Sequence, residues 1–188
     1  MEIRIAQESD LKSFFQYLDV HLQDNGVNEK PIFQPLSREE SKVSDALKNK
    51  FLSGVNKTVS EEGWRILMLA LSGEQFPGQD IPGQKIVGHI DIRPHPNKYA
   101  SHRALLGMGV DVLHRRAGIG ERLLNFLLDW MQANTQFEYL DLQVMSDNLP
   151  AISLYRKLGF ITYGQIGDMY RIDGKSVSET LMSRRVKN

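Results

Sequence analysis

A mixed α/β fold is what this sequence predicts, and three features predict it. Apolar runs of strand length alternate with segments whose apolar residues recur every three or four positions. The runs at 64–71, 86–93 and 104–112 follow one another through connections too short for a helical crossover, so they pair antiparallel. The runs at 104–112 and 139–145 are separated by a long amphipathic segment. A strand, helix, strand order of that kind implies a right-handed crossover and a parallel pair.

The elements follow in order. Residues 3–6 read as a short strand. Ser9 and Asp10 offer capping side chains to a helix whose apolar stripe is Leu11, Phe14, Phe15, Leu18 and Leu22. Asp24, Asn25 and Gly26 end it. A loop through Pro31 and Pro35 leads to Ser37 and Glu40, spaced as a capping box for a second helix marked by Val43, Ala46, Leu47 and Phe51. Gly54 is its stop signal. The almost unbroken apolar run at 64–71 reads as a central strand, and 72–84, with Pro77, Gly78, Pro82 and Gly83, as a loop. The next strand alternates, with Ile86, Gly88, Ile90 and Ile92 on one face and Val87, His89, Asp91 and Arg93 on the other. Pro94-His95-Pro96 turns the chain toward the strand at 104–112. Ile119, Leu123, Phe126, Leu127, Trp130 and Met131 form a helical stripe. The strand at 139–145 precedes a short helix at 151–158, stopped by Gly159. Strands at 160–165 and 177–184 close the chain, with Asp173-Gly174 as turn signal in a connection longer than a tight hairpin.

Composition removes several function classes. The 188 residues are enough for one domain, expected to span 1–188. Lys+Arg and Asp+Glu are equal at 23, which argues against a broad footprint for nucleic acid or a membrane surface. There is no cysteine, so disulfides, thiolate zinc sites and a cysteine nucleophile are excluded. The five histidines lack ligand-like spacing, and no metal is expected. No apolar run approaches the roughly 20 residues of a membrane helix, and the N-terminus lacks an apolar signal region. A cytoplasmic protein is the expectation.

The chemistry centres on Arg115-Arg116-Ala117-Gly118-Ile119-Gly120, between the strand at 104–112 and the helix that follows. Two glycines remove Cβ atoms at the turn, so a ligand can approach the backbone. The first helical turn leaves N–H groups unpaired at the positive end of the helix dipole, which suits a phosphate. The motif fits neither the dinucleotide G-x-G-x-x-G pattern, which needs glycine at Leu123, nor the nucleotide P-loop ending in Gly-Lys-Ser/Thr.

A second motif runs from Asn148 through Ala151, Leu154 and Tyr155 to Gly159-Phe160. Together the two resemble the GCN5-related N-acetyltransferase (GNAT) superfamily. Its phosphate loop, Gln/Arg-x-x-Gly-x-Gly/Ala, is matched by Arg115, Gly118 and Gly120. Its later motif, Asn-x-x-Ala-x-x-Leu-Tyr-x-x-x-Gly-Phe, is filled at every named position. The resemblance is strong over residues 86–163. It implies an acyl-CoA N-acyltransferase fold: a mixed, mostly antiparallel sheet with a splayed parallel strand pair and helices on both faces. It further implies acetyl-CoA as cosubstrate and an amine acceptor, either a small molecule or a protein N-terminus or lysine, with direct attack in a ternary complex. On matching positions, Met108, Gly109 and Val110 would offer backbone to the pantetheine arm. Arg115 and the amides of Arg116, Ala117, Gly118, Ile119, Gly120 and Glu121 would hold the pyrophosphate, and Asn148 would contact the pantetheine side. Such a splay is typically made by a bulge, and Gly107 and Gly109 are compatible with one.

Tyr155 would be the general acid that meets the departing thiolate. Some relatives carry a glutamate base on the preceding strand; the matching position here is Gln143, which cannot serve. Asp141, two residues earlier on the same face, is the working base, with Asp91, Asp111 or a water relay as others. The rival reading is a catalytically degenerate CoA-binding module. A monomer or a homodimer fits the sequence equally.

Overall fold

The computed structural model describes residues 1–28, 30–73 and 85–187. Its strands are β1 (Glu2–Ile5), β2 (Ile66–Ser72), β3 (Lys85–Pro94), β4 (Arg103–Val110), β5 (Tyr139–Met145), β6 (Ile161–Ile172) and β7 (Lys175–Arg185). The helices are α1 (Leu11–Gln23), α2 (Asp45–Gly54), α3 (Ile119–Asn134) and α4 (Leu149–Lys157). One mixed sheet runs β1-β2-β3-β4-β5-β7-β6, and among the described residues only β4 and β5 are parallel.

Side-chain alternation along β2 divides the core in two. Met68 and Ala70 face α3, whose Leu123, Leu124 and Leu127 are fully buried against Ile90, Ile92, Ala104 and Leu140. Leu67, Leu69 and Leu71 face the other way, onto Leu11, Phe14 and Leu18 of α1 and Phe51 of α2. Helices therefore cover both faces. Among α3 residues expected in the stripe, Phe126 and Trp130 are only partly buried; Leu124 and Leu128 take the inner positions.

Several local expectations change. In β3 a bulge opposite Ala70 and Leu71 inserts Val87, so Val87 joins Gly88, Ile90 and Ile92 in the α3-side core while Ile86 turns to the α1 side. Asp10 does not cap α1; its carboxylate accepts from the Gln7 amide at 2.8 Å and from Arg4 at 2.7 Å. Ser37 and Glu40 do bond reciprocally, but they close an isolated turn. The second helix starts later, where Ser44 caps it by accepting from the Leu47 amide at 3.2 Å. The loop read at 72–84 falls, from 74 on, outside the described residues. β6 continues to Ile172, so Asp173 (φ 48°) and Gly174 (φ 77°) form a tight two-residue hairpin rather than a longer connection.

The parallel pair is short. Only Arg103, Ala104 and Leu105 are in register with Tyr139, Leu140 and Asp141. From Leu106 to Val110, β4 keeps β3 on one side and, among the described residues, has no strand on the other. Gln143, on an interior strand, is exposed as a result. No bulge makes this splay: the β3–β4 register is unbroken from Gly88↔Val110 to Pro94↔Ala104. Gly107 and Gly109 instead serve close approaches. A Cβ at Gly107 would lie 2.6 Å from Asp91 Oδ1, and one at Gly109 would lie 2.5 Å from His21 Nε2.

Candidate active site

Three parts of the fold meet at the open end of the splay: the end of β4, the start of α3 and the helix α4. The connection from β4 is a one-turn 3₁₀ segment, Val112–His114, capped by Asp111, whose carboxylate accepts from the Leu113 amide at 3.0 Å and contacts His114 Nδ1 at 2.8 Å. Arg116 (φ 62°) and Gly118 (φ 77°) then turn the chain left-handed into α3. Among the described residues, none of the amides of Arg116, Ala117, Gly118, Ile119, Gly120 or Glu121 donates to a protein acceptor. The first bond of the helix is from the Arg122 amide to Gly118 O at 3.1 Å. Arg116, Ala117 and Gly118 are exposed. A run of unpaired donors at a positive helix end is an anion-binding surface. Gly120 brings that surface to the splay: a Cβ there would be 3.0 Å from Leu154 of α4 and 3.6 Å from Met108 of β4.

The two arginines of the turn differ. Arg115 is committed to the protein, pairing with Asp24 at 2.7 Å and donating from Nε to Val110 O at 3.2 Å. Arg116 is exposed and has no ion-pair partner among the described residues. Arg115 and Tyr17 also occupy β4 carbonyls that the sequence assigned to a ligand: Tyr17 Oη donates to Gly109 O at 3.2 Å.

Asn148 caps α4, its Oδ1 accepting from the Ala151 amide at a long 3.4 Å. Tyr155, on the same helix, has its ring in the α3-side core against Phe160 and is 7% exposed. Its hydroxyl has no hydrogen-bond partner among the described residues and is not one of the sealed polar atoms. Burial pushes its pKa up to about 12.

Asp141, the base expected from sequence, is engaged by an arginine in this structure. It lies in the closed part of the splay, opposite Leu105, and both its oxygens accept from Arg103 at 2.6 Å. A bidentate guanidinium–carboxylate pair of this kind fixes the carboxylate's geometry. Asp91 is likewise tied, to Arg65 at 2.6 Å.

Sequence reading missed a buried polar cluster above Gly109. His89 Nδ1 meets Tyr17 Oη at 3.2 Å, and the His21 ring stacks on Tyr17 at 5.9 Å. Burial, first of all, depresses both histidines to about 3, so both are neutral at pH 7. Tyr17 and His21 are one helical turn apart, which marks a shared face. Nothing in the sequence joins that face to His89 on a distant strand. Also unforeseen was Glu179 on β7, 2% exposed, bonded to Tyr170 Oη at 2.7 Å.

The family model described as the acetyltransferase (GNAT) family matches residues 56–160, more than half of the chain. The chain belongs to that family. The N-alpha-acetyltransferase RimI of Mycobacterium tuberculosis is 35% identical over 96 residues, 49% of this chain and 56% of that protein. The L-amino acid N-acetyltransferase AaaT of Escherichia coli is 31% identical over 102 residues, 53% of this chain and 61% of that one. The chain thus spans somewhat more than half the length of these relatives. A solved GNAT-family acetyltransferase from Streptococcus pneumoniae shares the fold, with a TM-score of 0.76, 22% identity and 99% of each chain covered. Among the described residues no helix is long and apolar enough to cross a membrane, and no group of three His, Asp or Glu is placed to hold a metal.

Proposed function

We propose that this GNAT-family chain transfers an acetyl group from acetyl-CoA to a primary amine, by direct attack within a ternary complex. The observation that carries the reading is the row of unpartnered amides from Arg116, Ala117, Gly118, Ile119, Gly120 and Glu121 at the mouth of the β4–β5 splay. Those donors, with the helix dipole and the free Arg116 guanidinium, fit a diphosphate. Acetyl-CoA supplies the thioester. The edge of β4 at Met108, Gly109 and Val110, which has no second strand among the described residues, accepts an extended arm as a strand would, and Asn148 keeps its amide nitrogen for the same ligand. With the Gly109 and Val110 carbonyls engaged by Tyr17 and Arg115, the remaining groups on this edge carry that pairing.

Tyr155 acts on sulfur as a hydrogen-bond donor. A phenol at about 12 stays protonated at neutral pH. Full proton transfer to a thiolate of pKa ~8.5 would be uphill by roughly 5 kcal/mol, so the phenol stabilises the leaving sulfur and solvent completes its protonation. One named relative is an N-alpha-acetyltransferase and another an L-amino acid N-acetyltransferase, and on that likeness we take an α-amine as the acceptor class. A chain of 188 residues with no cysteine offers no thiol acyl carrier, in keeping with direct transfer.

Thiol release from acetyl-CoA across a panel of amino acid amides and short peptides tests the reading. Tyr155→Phe should lower kcat roughly 10²-fold while leaving the acetyl-CoA KM within about twofold. An unchanged kcat removes Tyr155 from the reaction. The degenerate-module reading draws on Gln143 and on the engagement of Asp141 by Arg103. Calorimetric binding of CoA without turnover on any amine would select it.

A further inference from the structure

β6 is an outer strand of the sheet. It has β7 on one side and, among the described residues, no strand on the other. Alternate backbone N–H and C=O groups along that edge point outward, a template for a further strand. Edges of this kind are usually blunted by lysine, proline or an inward charge. Residues 161–167 carry no charge and no proline. A bulge at Tyr163 leaves that residue without a register partner on β7. Ile161 is 58% exposed and Tyr163 64%. An uncharged apolar edge left open in this way is an aggregation hazard unless something covers it.

The flanks of the edge define what fits it. Ile161 pairs with Ser183, so Arg184 and Arg185 lie on the part of β7 that outruns β6. Those two arginines, Lys157 at the end of α4, Ile161, Tyr163 and Tyr139 of β5 line one cavity of about 710 Å³. No carboxylate is among its lining residues. Arg185 is exposed and has no ion-pair partner among the described residues. Arg184 donates to Leu158 O at the C-terminal end of α4, which offsets the negative pole of that helix. Lys157 pairs with Glu121 at 2.7 Å, but as an exposed pair that exchanges at little cost. A cavity walled by cations and no acid attracts carboxylates and repels amines.

We propose that the start of β6 and this cavity form a docking site for an extended acidic peptide segment of another protein. The segment adds a strand to the β6 edge, sets apolar side chains on Ile161 and Tyr163, and brings carboxylates to Arg185, Lys157 and Arg184. Main-chain pairing supplies affinity, and the cations select the charge. The occupant is a polypeptide because an open strand edge is matched by backbone amides. The site is remote from the floor of the splay along the strands: Arg185 pairs with Tyr139 where β5 begins, whereas Gln143 pairs with Leu181. Docking here is independent of the acetyl-transfer reading, and each stands or falls alone.

The test uses the full chain and the peptide Glu-Val-Glu-Val-Glu-Val, acetylated and amidated so that it offers no amine. Calorimetry should show binding of this peptide and roughly tenfold weaker binding of its Lys-Val counterpart. Affinity for the Glu-Val peptide should fall as salt is raised. Arg185→Glu should weaken that peptide roughly tenfold and strengthen the Lys-Val one, with the thermal midpoint unchanged. A control on the ligand needs no variant. Methylating the amides of one alternate set of residues should weaken binding roughly tenfold, and methylating the other set should not. Absence of binding, equal affinity for the two peptides, no response to Arg185→Glu, or equal loss from both methylated sets overturns the inference. Displacement of the peptide by adenosine monophosphate or by CoA reassigns the cations to a phosphate ligand. Self-association of the chain that Arg185→Glu abolishes reassigns the edge to a second copy. Either of those results overturns the inference as well.

Discussion

At Gly109 the strand passes under two imidazoles, and a single methyl group has nowhere to go. A Cβ there would sit 2.5 Å from His21 Nε2 and 2.6 Å from His89 Cε1, both on buried rings held by Tyr17 and Phe14. Overpacking of that kind costs about 1–3 kcal/mol. In a chain this long each kcal/mol is worth about 2–4 °C. Gly109→Ala should therefore lower the thermal midpoint by roughly 3–10 °C in a calorimetric scan, and a midpoint within a degree of wild type would mean the two rings are not packed as described. From sequence, Gly107 and Gly109 were legible as residues that need space. The reason was not, because the occupants of that space, Asp91, His21 and His89, come from α1 and β3. The motif joined Tyr155 and Asn148 in sequence, and the structure sets them on one helix, Asn148 as the cap of α4 and Tyr155 within it. The partner of Asp141 was not legible: Arg103 sits 38 positions away and meets it because β4 and β5 pair in parallel.

The glycine turn is an element-scale device: it works through backbone donors, and any substitution acts on them through the path of the chain. At Gly118 (φ 77°) a Cβ would meet nothing within 4 Å, so Gly118→Ala adds no clash. What it adds is left-handed strain, about 1–2 kcal/mol. If relief of that strain rotates the turn, the amides from Arg116 to Glu121 lose their common direction. The acetyl-CoA KM should rise roughly tenfold with kcat little changed, and an unchanged KM would detach this turn from the cofactor. Elements with strong periodicity, such as α1, α3 and β5, were readable because one face of each is predominantly apolar. Capping was less so. The Ser37–Glu40 box forms and yet starts no helix, since the next residues with helical geometry begin after Ser44. The bulge at Val87 left no trace because Ile86 and Val87 are both apolar and either face suits either residue.

The sheet as a whole carries one buried apolar layer on each side, and into the layer beneath α1 it admits His21 and His89. Both rings are buried, at 8% and 6% exposure, and burial holds both at about 3. In the unfolded chain the same groups titrate near ~6.5. Between those values the unfolded state binds protons that the folded state refuses. The folded pKa is depressed, so the stability contribution is complete above pH ~6.5 and is lost progressively as pH falls toward 3. Two such groups give a slope of about 2.7 kcal/mol per pH unit once both titrate fully. Asp10 and Asp111, whose carboxyls are themselves held below the usual range, add the same sign of effect at lower pH. The interval from pH 6.5 to 5 therefore isolates the histidines. Urea unfolding across that interval should show free energy falling steeply with acidity, and His21→Gln should reduce the slope by about half. A free energy flat from pH 6.5 to 5 would place both imidazoles in contact with water, and with them the packing of α1 over β4.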